Sequence, residues 1–414
     1  MYHISRRAAL VWPALLGLGL ASQLLAFEST KVLPKGIRNV KLRTLYTTAK
    51  TKTTPEGDIE PLADRLWKPL EFRHVLSGES GLKRKQLEAL MLQQGWTRNK
   101  SLGDFRAEFD AQINVWAPIF AYGFTDRFTL AVALPVYSSS TDIGVGFTAN
   151  HGAQDFVTAL KSPSMNNTQS AVEASQKLQN AVGRLNDKLV DNGYDTFDKW
   201  NSTGIGDTTI AAKYLAYDGS LLKAATSFGI VAPTGETESP DILTDLSFGD
   251  GQWDAFAQLI FDQNIFSWMT FNQFYKYTYQ APDRREMRLA TNDETIEVGK
   301  EDLDFKLGDK IEAGTSLQFE QNSTGLTAGL GLQYFRKYGD RYEVEAIDVK
   351  NELQRDTAQQ ALYWKARLGY TSLPAFRRNE MKVPFVASIE YRKQYESINT
   401  PRTDFTQVDV GIFF

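Results

Sequence analysis

The sequence holds three histidines and no cysteine. With the N-terminal leader described below set aside, His74 and His151 are the side chains suited to proton transfer near neutral pH, and neither sits in a recognisable nucleophile motif. A His-dependent triad is therefore not supported, and the missing cysteine excludes thiolate nucleophiles, zinc–thiolate sites and disulfides. Asp241, Asp245, Asp250 and Asp254 fall in one stretch, but their spacing matches no calcium loop, so they read as a solvated acidic loop. No catalytic residue, cofactor or metal is expected, and the chain does not read as an enzyme.

The remaining chemistry is charge. Forty-six Lys and Arg against 50 Asp and Glu leave a net charge of −4, with no basic domain or stripe of the kind a nucleic-acid partner requires. Charged residues recur at every second position inside otherwise apolar stretches: Arg106, Glu108, Asp110, Lys213, Asp254, Asp262, Glu312, Lys365, Arg367, Glu390, Arg392 and Asp409. Such charges need a wall that turns one side chain in two away from the greasy face.

Period-two alternation supplies that wall. Phe128, Leu130, Val132, Leu134 and Val136 share one parity, as do Ile311, Ala313, Thr315, Leu317 and Phe319 opposite Glu312, Gly314, Ser316 and Gln318. Ala107 to Ala121 form an apolar row read as facing outward, opposite Arg106, Glu108, Asp110, Gln112, Asn114 and Trp116. Twelve strands are expected, at 37–51, 105–123, 127–138, 207–218, 221–233, 252–264, 267–281, 308–320, 325–337, 360–373, 382–396 and 403–414. The links alternate: long at 52–104, 139–206, 234–251, 282–307 and 338–359, short or compact at the turns between them, with 397–402 a short final link. A soluble sandwich has no reason to sort its loops this way, whereas an outer-membrane barrel has tight periplasmic turns at one rim and long extracellular loops at the other. Aromatic residues near the short turns, among them Tyr122, Phe124, Tyr214, Phe266, Trp268 and Phe385, fit a headgroup girdle. The expected fold is thus all-β, a transmembrane antiparallel barrel of about twelve strands, with short helices in its long extracellular loops. On this reading the charged residues above line the lumen.

Residues 1–26 read as a signal peptide, with Arg6 and Arg7 before the apolar run Ala8–Leu25, and cleavage at Ala26 or near Ala21. The barrel then occupies 27–414, with loop insertions at 52–104 and 139–206. No later apolar run approaches the roughly 18 residues of a spanning helix. Helical spacing appears within 170–192, ending at Gly193, and at 82–94, where Lys83, Arg84 and Lys85 open the segment and Gly95 follows it. The closing Asp409-Val410-Gly411-Ile412-Phe413-Phe414 resembles the C-terminal assembly signal of bacterial outer-membrane proteins, with Phe414 as its terminal aromatic, which implies insertion by the outer-membrane assembly machinery.

Four motifs carry a narrower resemblance: Tyr122-Gly123-Phe124-Thr125-Asp126-Arg127 leading to Leu134-Pro135, Gly204-Ile205-Gly206-Asp207-Thr208-Thr209, Ala232-Pro233-Thr234-Gly235-Glu236, and Gly251-Gln252-Trp253-Asp254. In order and spacing they resemble the outer-membrane transporter family named for the meta pathway of phenol degradation, itself distantly similar to fatty-acid and aromatic-hydrocarbon channels. The resemblance covers roughly the middle third of the mature chain, and each motif alone is ordinary turn chemistry. It implies a channel in the bacterial outer membrane for passive uptake of small hydrophobic or aromatic solutes, in contact with lipid and lipopolysaccharide. A surface barrel with a structural or adhesive role is the alternative, and a barrel phospholipase a third, disfavoured by the histidine positions.

Overall fold

The computed structural model describes residues 29–162, 168–197, 199–289 and 299–414, so the expected leader and its cleavage site lie outside the described residues. The chain divides into two compact units, one comprising the stretch through Glu60, Asp110–Thr141 and Lys199–Phe414, the other Pro61–Phe109 and Asp142–Asp198.

The first unit is a closed antiparallel barrel. Its wall strands are β1 (Arg38–Ala49), β2 (Ser101–Thr125, in this unit from Asp110), β3 (Phe128–Ala133), β4 (Thr208–Asp218), β5 (Leu222–Ala232), β6 (Asp254–Phe266), β7 (Met269–Gln280), β8 (Lys310–Gln321), β9 (Leu326–Lys337), β10 (Gln359–Thr371), β11 (Phe385–Ile398) and β12 (Asp404–Phe413). Each pairs with its neighbour in this order, and β1 pairs with both β2 and β12, so no edge is left open. Arg38 N–H donates to Phe414 O at 2.8 Å and Phe414 N–H returns to Arg38 O at 3.0 Å, which completes the ladder at the chain ends. Closure is what a sheet in hydrocarbon requires, because an unpaired edge would find no water to bond.

Except on β2, the outer face carries the apolar rows expected there. Leu330 is 60% exposed and Trp268 51%, in company with Leu42, Phe120, Phe228, Leu259, Leu317, Leu332, Leu368 and Val410. A 12-residue strand such as β9 reaches roughly 30 Å when tilted, enough to cross the apolar core. At the short-turn rim Tyr122, Phe124 and Phe128 form one chain of ring contacts, and Phe266, Trp268 and Phe319 another, with centroids 4.9–6.1 Å apart. Trp253, Tyr277, Tyr279 and Tyr338 are exposed toward the opposite rim. Two aromatic belts bound the apolar band, as in outer-membrane barrels. No helix among the described residues is long and apolar enough to cross a membrane.

The expected third strand is cut at Pro135, which has no N–H for the ladder. Chain beyond it, Val136–Ala149, pairs from Val136 to Thr141 with Trp200–Ile205 as a ribbon. The link 282–307, expected as loop, instead holds the hairpin Asp283–Arg288 and Lys300–Lys306. Arg341–Glu343 pairs with this hairpin. Met287, Leu303, Phe305, Leu307 and Tyr342 close a small core there with Val349 and Leu353 of helix Ile347–Gln354.

The second unit is mainly helical, with α1 (Phe72–Ser77), α2 (Gly81–Gln93), α3 (His151–Leu160), α4 (Thr168–Gln179) and α5 (Ala181–Asp191). The two expected helical stretches are α2 and, broken at Asn180 into two helices, α4–α5; each stretch ends on its expected glycine, Gly95 (φ +65°) and Gly193 (φ +76°). Trp96 N–H then reaches back to Met91 O, and Tyr194 N–H to Leu189 O. Phe72, Leu76, Leu90, Leu102, Phe156 and Leu178 build a core of this unit's own.

Candidate functional site in the barrel interior

Cross-strand register decides which residues face the interior, because directly opposed residues share a face. Arg43 lies opposite Asp409 on one side and Ala117 on the other. Arg43 Nε and Nη2 each donate to an Asp409 carboxylate oxygen at 2.8 Å, and the two residues are 7% and 2% exposed. Following register around the wall, Lys276 on β7 opposes Glu312 on β8 and pairs with it at 3.0 Å, while Gln333 of β9 donates to the same carboxylate. Arg392 of β11 binds Glu390 at 2.5 Å and donates to Gln407 of β12 at 3.1 Å; Lys365 of β10 stands opposite Arg392. Buried charges in such a wall persist only when paired and hydrogen-bonded.

Of the sequence-predicted lining residues, Lys213, Asp254, Glu312, Lys365, Glu390 and Asp409 occupy this inward row and are buried. Arg367 shares the row, opposite Glu390, but is exposed and donates to Ser388 Oγ at 2.9 Å. Arg106, Glu108 and Asp110 are a correction. Their parity on β2 is the exposed one shared with Trp116, Phe120 and Tyr122, while Ala111, Ile113, Val115, Ala117 and Ile119 are buried on the inward side. Arg106 and Glu108 moreover belong to the helical unit, where Arg106 stacks over Trp67, and Asp110 pairs with Lys50 at 2.6 Å. The row read as lipid-facing on this strand is therefore interior, because small aliphatic side chains suit a narrow lumen as well as they suit acyl chains.

The interior thus has two unlike arcs. On β2 to β4 the inward residues are mostly apolar, Ala117, Ile119, Ala131, Ala133 and Ala211 among them, with Thr129, Thr209 and Lys213 as polar exceptions; from β6 round to β12 they are mostly hydrogen-bonding. Phe256 of β6 spans the gap to pack on Ile119, Ala133 and Ala211. Its ring lies over Gly229, where an added Cβ would come within 2.6 Å of it, and Phe274 lies likewise over Gly314. Sequence reading missed Arg43, Lys276, Lys310 and Lys337, although Lys41 and Arg43 stand on one parity of β1 and mark it.

At the short-turn rim, residues 29–36 form a strap inside the mouth. Thr30 N–H and Oγ1 donate to Asp262 Oδ2 at 2.9 and 2.6 Å, and Lys213 Nζ donates to Ser29 O and Lys31 O, both at 2.7 Å. Leu33 N–H donates to Thr129 Oγ1, Lys35 N–H to Asp126 Oδ1, and Gly36 N–H to Gly123 O. Gly123 has to be glycine here, since a Cβ would overlap Pro34 O. Val32 packs on Leu215, Ala225, Ile260 and Phe274.

At the opposite rim three of the four sequence motifs meet. Asp207 accepts Gly235 N–H at 2.9 Å and Asp250 N–H at 3.1 Å, and Thr234 Oγ1 joins Thr208 N–H to Gly206 O. Asp250 and Asp254 flank Lys310 Nζ at 3.7 and 3.5 Å, so these two acids are buried partners rather than a solvated loop. Asp241 pairs with Arg288 and, at 2.7 Å, with Lys300. Burial works against its ionisation, yet the hydrogen bonds from Lys300 and Arg288 prevail and hold its carboxyl below the usual carboxylate range.

Both histidines among the described residues lie in the helical unit: His74 Nδ1 accepts Glu71 N–H at 3.0 Å, and His151 Nδ1 lies 3.4 Å from Gln154 Oε1.

No protein-family model matches the sequence. No curated protein matches it either. Among solved structures, the chain is similar to an outer membrane channel from Pseudomonas putida F1, with a TM-score of 0.52 and 10% identity over 93% of this chain and 98% of that one. It also aligns with a FadL homologue of Pseudomonas aeruginosa (TM-score 0.32, 8% identity, 94% and 93% covered) and the toluene transporter TbuX of Ralstonia pickettii (0.31, 11%, 92% and 89%), at scores too low to carry an argument. At 10% identity the first likeness establishes the fold, that of an outer-membrane barrel.

Proposed function

We propose that the chain is an outer-membrane channel for passive uptake of small hydrophobic or aromatic solutes, of the type the phenol meta-pathway resemblance implies. The observation that supports this best is the divided interior: one arc is mostly apolar and the other mostly hydrogen-bonding, which suits a solute with an apolar body better than a hydrated ion. The solved neighbour named as an outer membrane channel fits the same reading. Lys213, Asp254, Glu312, Lys365, Arg367, Glu390 and Asp409 line the path on this reading. Phe414, bonded to Arg38, serves the assembly machinery, and the exposed belt meets lipid and lipopolysaccharide. In the conformation described the inward residues of β6 and β7 from Phe256 to Asp262 and Asn272 to Thr278 are buried, so passage requires side chains and the strap to move.

Liposomes containing the purified protein should take up toluene or phenol faster than empty ones, and a deletion strain should grow poorly when either is limiting. No flux and no growth defect would favour the second reading, a surface barrel that binds a partner, for which the separately cored helical unit speaks.

A further inference from the structure

The strap makes the contacts of a ligand. Lys213 and Asp262 are 4% and 6% exposed, and what they hold are two carbonyl oxygens on the ammonium and an N–H with a hydroxyl on the carboxylate, beside an apolar side chain seated on Leu215, Ala225, Ile260 and Phe274. We propose that this place is a solute station which the strap masks, taking a small amphiphile whose apolar body replaces Val32 and whose hydroxyl or carboxylate head replaces the main chain of Ser29–Lys31.

A buried ammonium and carboxylate cannot be left dry, so departure of the strap demands a substitute with the same acceptors and donors. Lys213 fits a carboxylate or carbonyl oxygen, and Asp262, steadied by Asn272 Nδ2 at 2.6 Å, fits a hydroxyl. The strap is held for exchange. Its Lys31–Glu320 pair, 2.8 Å long, is exposed and contributes little, and no strand ladder fixes residues 29–35. The station rests on the channel reading for its purpose and narrows the solute class to hydroxylated or carboxylated aromatics.

The absence of native cysteine allows a direct test in the full chain. The double variant Leu33→Cys/Thr129→Cys, oxidised, locks the strap to the wall, and Thr30→Ala/Val32→Ala loosens it. Calorimetric binding of 4-hydroxybenzoate to detergent-solubilised protein should be at least about tenfold tighter in the loosened variant than in the locked one, and reduction should restore the locked one. Adding Lys213→Met to the loosened variant should cost about tenfold again for 4-hydroxybenzoate. Equal affinity in locked and loosened proteins would overturn the station. Liposome flux separates the two readings: a binding difference without flux in either variant supports the station and removes the channel, whereas flux with no binding difference keeps the channel and removes the station.

Discussion

Replacing Asp409 with asparagine tests whether the barrel seam is held by a buried ion pair. Arg43 reaches Asp409 through two hydrogen bonds of 2.8 Å across the β1–β12 boundary, and the pair is 7% and 2% exposed. Asp409→Asn keeps shape and one acceptor but leaves the guanidinium uncompensated, which costs about 3–5 kcal/mol in a site this dry. Arg43→Met should cost a similar amount by stranding the carboxylate. The double variant Arg43→Met/Asp409→Asn removes both charges, keeps the hydrogen bond from Gln407 Nε2 and should lie within about 1 kcal/mol of wild type, so the coupling energy from the cycle should be about 5 kcal/mol or more. Reversible urea unfolding in lipid vesicles, followed by tryptophan emission and by the gel mobility of the folded barrel, measures all four proteins. If the single variants lose less than about 1 kcal/mol, or if losses simply add in the double, the seam charges are solvated and the inward assignment of Asp409 is wrong.

Leu330→Arg should destabilise the barrel in vesicles by about 2–4 kcal/mol, because this 60% exposed residue stands mid-strand on the lipid face; a lumen position would tolerate the change with little loss of urea midpoint. Gly314→Ala pushes a methyl group into the Phe274 ring and should cost about 1–3 kcal/mol in the same assay, with Phe274→Leu relieving part of it. Asp241 has its folded-state pKa below the ordinary 3.8, so its contribution is complete above that value and disappears as pH falls through the depressed one. Limited pepsin digestion should therefore spare the hairpin Asp283–Arg288 and Lys300–Lys306 at about pH 5 and cut it only in stronger acid, while Asp241→Asn should already be cut at about pH 5.

Strand number, order and loop sorting were legible in the sequence because lipid imposes one rule on every strand: alternate, turn, and close. The same rule is blind where both faces are apolar. On β2 the Ala111–Ile119 row and the Trp116–Phe120–Tyr122 row each contain greasy residues, and only the aromatic rings of the second row mark the lipid side. Pro135 in the quoted Leu134-Pro135 signals the break between β3 and its ribbon, since a proline interrupts any ladder it joins. Leu303, Phe305 and Leu307 alternate too, but their partners Tyr342 and Val349 lie some 40 residues on, beyond what local pattern reveals. Ion-pair partners such as Lys276 with Glu312 and Arg43 with Asp409 depend on register, and the strap on side chains from several separate strands, so neither is written in any one stretch of chain.

The seam joins residues 366 positions apart. A ribosome or translocon therefore delivers eleven strands before the partner that seals the first one exists, and β1 must wait with one side unbonded until the last residues emerge. Folding in vivo is thus a post-delivery event, and truncation at the extreme C-terminus should yield not a slightly weaker cylinder but an open, self-associating sheet.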